Sequence, residues 1–234
     1  MIPLGIGDYL SGYLHVMGQY PVLHAFWVNI TLTFWSGLLA LVLGTVAVAM
    51  RISPISSLRA TATVYVNVFR DIPLTIVMVA MLLVVWTSLG IEFSPTFSTN
   101  FYILAVIGLG LYHGSFVAEA LRSGVNTVPL GQAEAARAIG LTFMQSARIV
   151  ILPQAFRGAV APLGNTLIAL IKNTTVASAT AVATETSGVM GTMIENAANY
   201  SLPIFFTFAL GYVVIVVPVG VLITWLSRRL AVKR

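Results

Sequence analysis

Two cations stand where an apolar chain has little use for them. Arg70 falls within a long hydrophobic run, and Lys172 lies near the middle of another, among Asn165, Thr166, Asn173, Thr174 and Thr175. A cation at the centre of a membrane helix costs about 2.5 to 3.5 kcal/mol on insertion scales, so each needs a partner or a wet cavity. The i, i+3 and i, i+7 spacings around Lys172 predict a polar stripe along one helical face. Such a stripe, carrying an ammonium, suits escort of a carboxylate. Two readings stay open: Lys172 or Arg70 offsets the carboxylate of a passing solute, or Lys172 joins two helices while Arg70 pairs with Asp71 or with a polar group on another span. Pro73 removes the bond to the Phe69 carbonyl, which predicts a kink or break beside Arg70 and a geometry suited to a mid-membrane gate. Glu119, one turn before Arg122, reads as half of an i, i+3 ion pair, and His113 reads as a packed or hydrogen-bonded histidine.

Covalent and redox chemistry find no support. The chain has no cysteine, and its three histidines, His15, His24 and His113, are scattered without ligand spacing. Neither H-E-x-x-H nor G-x-S-x-G occurs, and no G-x-x-x-x-G-K-[ST] phosphate loop is present, so ATP cannot be hydrolysed here by that route. The chain is read as a non-enzyme that binds no cofactor or metal of its own.

The elements that must position these residues follow from composition. With 58% hydrophobic and 8% charged residues and a mean hydropathy of +0.95, the chain belongs in a bilayer, in contact with membrane lipid. Apolar runs near 26–50, 60–89, 101–121, 159–182 and 203–226 are each long enough to cross hydrocarbon, which predicts an all-α integral membrane protein of five transmembrane helices. Ten of the twelve basic residues lie in the first and third loops and at the C-terminus, whereas residues 1–25, 90–100 and 183–202 have none. By the positive-inside rule the N-terminal stretch 1–25 is extracytoplasmic, and the basic tail 227–234 is cytoplasmic. The net charge of +5 is thereby explained without nucleic acid. Gly37, Gly44, Gly110 and Gly114 read as small residues at close helix crossings. Residues 184–202 are too polar to span and read as a short helix or lid on the outer face.

One polar stretch remains, in the cytoplasmic loop 126–158. Pro129 suits a helix start, Gly131 to Ile139 is rich in good helix formers, and Gly140 supplies a stop. Thr142 and Gln145 form a capping-box pattern for a second helix, which Pro153 is expected to end. Small residues Ala133, Ala135 and Ala136, beside Glu134 and Arg137, make this helix, turn and helix a surface suited to docking.

Glu134-Ala135-Ala136, Gly140 and Val150-Ile151-Leu152-Pro153 resemble the "EAA" loop of permease subunits in ATP-binding-cassette importers, departing only at Val150, where isoleucine is usual. Phe69 to Thr75 and Leu163 to Thr175 resemble the polar amino acid permeases, most closely actinobacterial glutamate-uptake subunits, with Asp71 a departure. The resemblance runs from about Leu23 to the C-terminus. It implies the type I importer permease fold and a coupling helix braced by Glu134, Ala135, Ala136, Gly140, Leu152 and Pro153. The implied partners are a second permease subunit, either a related chain or another copy, two copies of a cytoplasmic ATPase holding ATP and Mg, and an extracytoplasmic amino-acid-binding protein. The implied place is the bacterial plasma membrane, and the implied cargo is a polar amino acid, glutamate foremost. A proton- or ion-coupled carrier titrating Asp71, Glu119 or His113 is the alternative.

Overall fold

The computed structural model describes residues 6–53 and 55–230; Lys233 and Arg234 of the basic tail lie outside them. Among the described residues the regular structure is helical. In order these are α1 (Ile6–Gln19), α2 (Val22–Arg51), α3 (Ser56–Asp71), α4 (Leu74–Ala80) with a π-helical continuation Met81–Ser88, and α5 (Phe97–Val125). Next come α6 (Leu130–Ala138), α7 (Phe143–Ser146), a π turn Ala147–Ile151, and α8 (Leu152–Asn173). A 3-10 stretch Thr174–Thr180, α9 (Thr186–Asn196), a 3-10 turn Ala198–Tyr200 and α10 (Ser201–Leu230) complete the chain.

α5 is the axis of the bundle, flanked by α2, α3 and α8, with α10 packed on α8. Glycines let α2 and α5 approach: a Cβ on Gly44 would meet the Val117 side chain and stand 2.9 Å from the Gly114 carbonyl oxygen. Gly110 lies under Leu39, and Gly114 under Leu43 and Tyr65, as expected for helices without bulk at the crossing. The main core gathers Leu32, Leu74, Met78, Phe101, Leu104 and Leu170. A second core joins Ala25, Val189, Met193, Ile204 and Phe208 to the inward side chains of α1, Tyr13, Val16 and Met17. The N-terminal stretch thus holds a packed helix that its modest hydropathy did not announce.

The five expected spans are met in part, and several local expectations are corrected. Three helices, Val22–Arg51, Phe97–Val125 and Ala198–Leu230, are long and apolar enough to cross a membrane, four if α3 and the α4 continuation count as one broken span. The run at 60–89 is not straight: α3 and Leu74–Ser88 meet at 105°, because Pro73 cannot extend α3 and takes an extended backbone with ψ 138. The run at 159–182 is helical only to Asn173, then tightens into the 3-10 stretch, and Gln154, Arg157, Asn165 and Lys172 dilute the hydropathy of α8. Pro153 does not end its helix. It stands in the first turn of α8, where an amide donor is not needed, and the preceding π turn admits the ring without a stop. Residues 184–202 do contain a short helix, α9.

Candidate coupling elbow and polar path

The loop after α5 folds as an elbow. Pro129 caps α6 from one residue outside, and Gly140 ends it at φ +86, the left-handed conformation glycine adopts without strain. The Gly140 amide donates to the Arg137 carbonyl (3.0 Å) and the Leu141 amide to the Ala136 carbonyl (3.1 Å), closing the helix end. The capping box is reciprocal: the Thr142 amide donates to Gln145 Oε1 (2.9 Å) and the Gln145 amide to Thr142 Oγ1 (3.3 Å). Gln154 of α8 hydrogen-bonds Gln132 of α6, tying the elbow's two limbs. Ala136 alone of α6 is buried, against the π turn; Glu134, Ala135, Arg137 and Gly140 are exposed. Leu130 (83% exposed), Ile139 and Leu152 add apolar surface, and Pro153 is exposed beside them. Neither Glu134 nor Arg137 enters an ion pair among the described residues, so one charge of each sign is presented on an open, partly apolar knob.

Toward the same end of the bundle, three guanidiniums converge on one carboxylate. Glu119 pairs with Arg51 at the end of α2, with Arg122 one turn on (2.7 Å), and more loosely with Arg70 at the end of α3 (3.8 Å). Arg70 also lies over the Phe116 ring, 5.9 Å from its centroid, and Asp71 points elsewhere into the open. The break at Pro73 is present, and Arg70 beside it reaches Glu119 rather than its neighbour Asp71.

The polar stripe of α8 divides instead of sharing one face. Asn165 and Lys172, seven residues apart, are both exposed, and Lys172 has no partner among the described residues. Asn173 turns inward, its Nδ2 3.2 Å from His113 Nε2, while Thr174 is buried and Thr175 bonds back to the Lys172 carbonyl. Thr166 likewise bonds back, to the Pro162 carbonyl. The tightening at Thr174 rotates successive side chains by more than an α-helix would, which separates the two sets.

A carboxylate that sequence reasoning did not single out lies deepest. Glu185 is 0% exposed and caps α9: Oε1 accepts from the Gly188 amide (2.8 Å), and Oε2 from the Ser187 amide (2.9 Å) and the Thr186 hydroxyl (3.2 Å). Asn29 of α2 donates to Thr174 Oγ1 and Tyr212 Oη, both 2.8 Å, and to Glu185 at 3.4 Å, while accepting from the Thr186 amide (3.0 Å). One node thereby joins α2, the 3-10 stretch, α9 and α10. Burial pushes the Glu185 carboxyl above the usual range, opposed by the Ser187 and Gly188 amides. The signal was local, an acidic residue followed by Thr-Ser-Gly at a helix start, but its partners are distant in sequence.

Residues 40–232 match the family described as binding-protein-dependent transport system inner membrane component. The chain belongs to that family. The permease is 46% identical over 218 residues to the glutamate transport system permease protein GluC of Corynebacterium glutamicum, covering 91% of this chain and 95% of that one. It is 29% identical to the glutamate/aspartate import permease protein GltJ of Escherichia coli K12, covering 87% and 85%. Among solved structures, the permease superposes on an amino acid ABC transporter crystallised with histidines at a TM-score of 0.80, with 23% identity and coverage of 94% and 97%, a likeness of fold. It also superposes on an inward-facing MetNI methionine ABC transporter at 0.71, with 26% identity and coverage of 90% and 96%.

For a permease, the arrangement offers binding and motion. No three His, Asp or Glu side chains come together among the described residues as a metal-holding group. The elbow presents an exposed, partly apolar surface, and the exposed Lys172 is a cation that hydrocarbon would not tolerate uncovered.

Proposed function

We propose that this permease is the membrane subunit of an ATP-binding-cassette importer that carries a polar amino acid, glutamate foremost, and is driven by a separate ATPase. The observation that carries the reading is the 46% identity to a glutamate permease across nearly the whole of both chains. The chain crosses the membrane five times, through α2, α4 with its continuation, α5, α8 and α10, with its N-terminus outside and its C-terminus in the cytoplasm, an orientation that the distribution of basic residues supports. α6 is the coupling helix: Glu134, Ala135, Ala136 and Gly140, with Leu152 and Pro153 at its back, receive the ATPase, which holds ATP and Mg. The exposure of these residues, apart from Ala136, supports the docking role.

Two permease subunits, two ATPases and an extracytoplasmic binding protein make up the working importer, and the paired permeases GltJ and GltK named for E. coli glutamate/aspartate import favour a related second chain. Lys172 and Asn165, exposed on one face, line the path or the seam between the two permeases, with Asn173, Thr174 and Thr175 bordering it and Arg70 at its basic end. The test is uptake of labelled glutamate into proteoliposomes holding the co-purified importer and its binding protein. Uptake should require internal ATP, and Glu134→Arg should abolish it while the permease remains folded. Uptake that persists without nucleotide, under a proton gradient alone, sinks the reading.

A further inference from the structure

α10 is the least packed of the membrane-length helices. Only 6% of its apolar stretch is buried inside the chain, against 28% in α2 and 61% in α5. Along one side, residues of α10 alone line a shallow, open hollow. Val217, Val221, Trp225 and Arg229 recur every four residues, and Gly220 and Arg228 belong to the adjoining column, so the lining is one continuous face about four turns long. The absent side chain at Gly220 deepens it: a Cβ there would meet only Ile168, at 3.8 Å.

The two ends of this face differ in chemistry. Its upper turns are apolar and exposed, Val217 at 54% and Val221 at 64%. Its last turn carries two guanidiniums, neither in an ion pair among the described residues, and Arg229 is held 4.4 Å above the Trp225 ring. The carbonyls ending α10 supply only about half a negative charge, so at least one positive charge stays unbalanced beside the apolar strip. An acidic peptide would leave the valines uncovered, and an apolar helix would leave the arginines uncompensated. An amphiphile with an anionic head and a hydrocarbon tail satisfies both ends at once.

We propose that this face of α10 is a binding site for an anionic phospholipid, its phosphate held by Arg228 and Arg229 and one acyl chain lying along Val217, Gly220 and Val221. Aromatic and basic side chains at the end of a span are suited to that depth, and Trp225 fixes the reach of Arg229.

The test is native mass spectrometry of the purified full chain in mild detergent, titrated with phosphatidylglycerol and with phosphatidylcholine of matched acyl chains. Two basic side chains correspond to a roughly thirtyfold preference for the anionic lipid. Arg228→Gln with Arg229→Gln should erase that preference, and Arg228→Lys with Arg229→Lys should keep most of it. Gly220→Leu fills the hollow without touching either charge and should weaken retention of both lipids. A preference that survives the double glutamine variant overturns the site, and so does Gly220→Leu binding as the wild type, which would reduce the effect to general attraction by basic charge. Loss of the bound lipid when the assembled importer is measured overturns it as well, since a protein would then cover this face.

Discussion

Removing the Glu185 carboxylate should loosen the start of α9 and little else. In Glu185→Ala the amides of Ser187 and Gly188 lose their acceptors in a site with no exposure, and Asn29 and the Thr186 hydroxyl each lose one partner. Loss of a helix cap costs about 1 kcal/mol and a buried unsatisfied donor about 1 to 3 kcal/mol, so the local opening free energy should fall by roughly 2 to 4 kcal/mol. Asn29 keeps Thr174, Tyr212 and the Thr186 amide, which argues for a local rather than a global effect. The assay is hydrogen-deuterium exchange in detergent or nanodiscs, read on peptides covering α9. At 1.4 kcal/mol per tenfold, exchange there should quicken about 30- to 1,000-fold, with peptides from α5 unchanged. Glu185→Gln provides the contrast. Both carboxylate oxygens accept from backbone amides, and glutamine keeps only one acceptor, so the glutamine variant should satisfy either the Gly188 or the Ser187 amide and fall between the parent and Glu185→Ala. Acceleration of less than about threefold in Glu185→Ala would refute the argument that this node pins α9 to α2.

Other outcomes follow from geometry already described. Gly140→Val places a β-branched residue at φ +86 and should lower uptake by at least about tenfold, with ATPase dissociating or uncoupled, while thermal stability of the isolated permease holds. Gly44→Val drives a side chain into Val117 and the Gly114 carbonyl, so expression and monodispersity by size-exclusion chromatography should collapse. Lys172→Met should reduce glutamate uptake while expression and substrate-free ATPase activity of the assembled importer stay intact; unchanged uptake would remove Lys172 from the path. Glu119→Gln leaves Arg51, Arg70 and Arg122 without a counter-charge and should destabilise the basic end by about 1 to 3 kcal/mol, measured by chemical denaturation.

What the sequence disclosed was mostly local. Gly140, the Thr142 and Gln145 box and the break at Pro73 each depend on residues within four positions of one another, and each was legible. The i, i+3 pair of Glu119 with Arg122 was legible for the same reason, but its convergence with Arg51 and Arg70 was not, because those arrive from helix ends 68 and 49 residues away by number. Pro153 misled because a π turn shifts which carbonyl its ring must avoid. The stripe around Lys172 was drawn on an ideal α-helix, and the tightening at Thr174 turned half of it inward. α1 lacks an apolar run long enough to cross hydrocarbon, and its one signal was a short amphipathic stripe, Tyr13, Val16, Met17 and Tyr20 at i, i+3, i+4 and i+7, whose packing partners lie in α2 and, far along the chain, in α9 and α10. Glu185 was hidden by distance, since Asn29 stands 156 residues before it.

The right-angled joint at Ile72 and Pro73 gives the bundle a crank. α3 and α4 cannot slide together as a single rod, because at 105° a displacement along one axis reaches the other almost wholly as sideways travel. A displacement of α3 along its own axis would therefore carry Leu74 and Met78 sideways across the core instead of lifting them, and Arg70, at the end of α3 and drawn to Glu119 of α5, sits on the arm that would move.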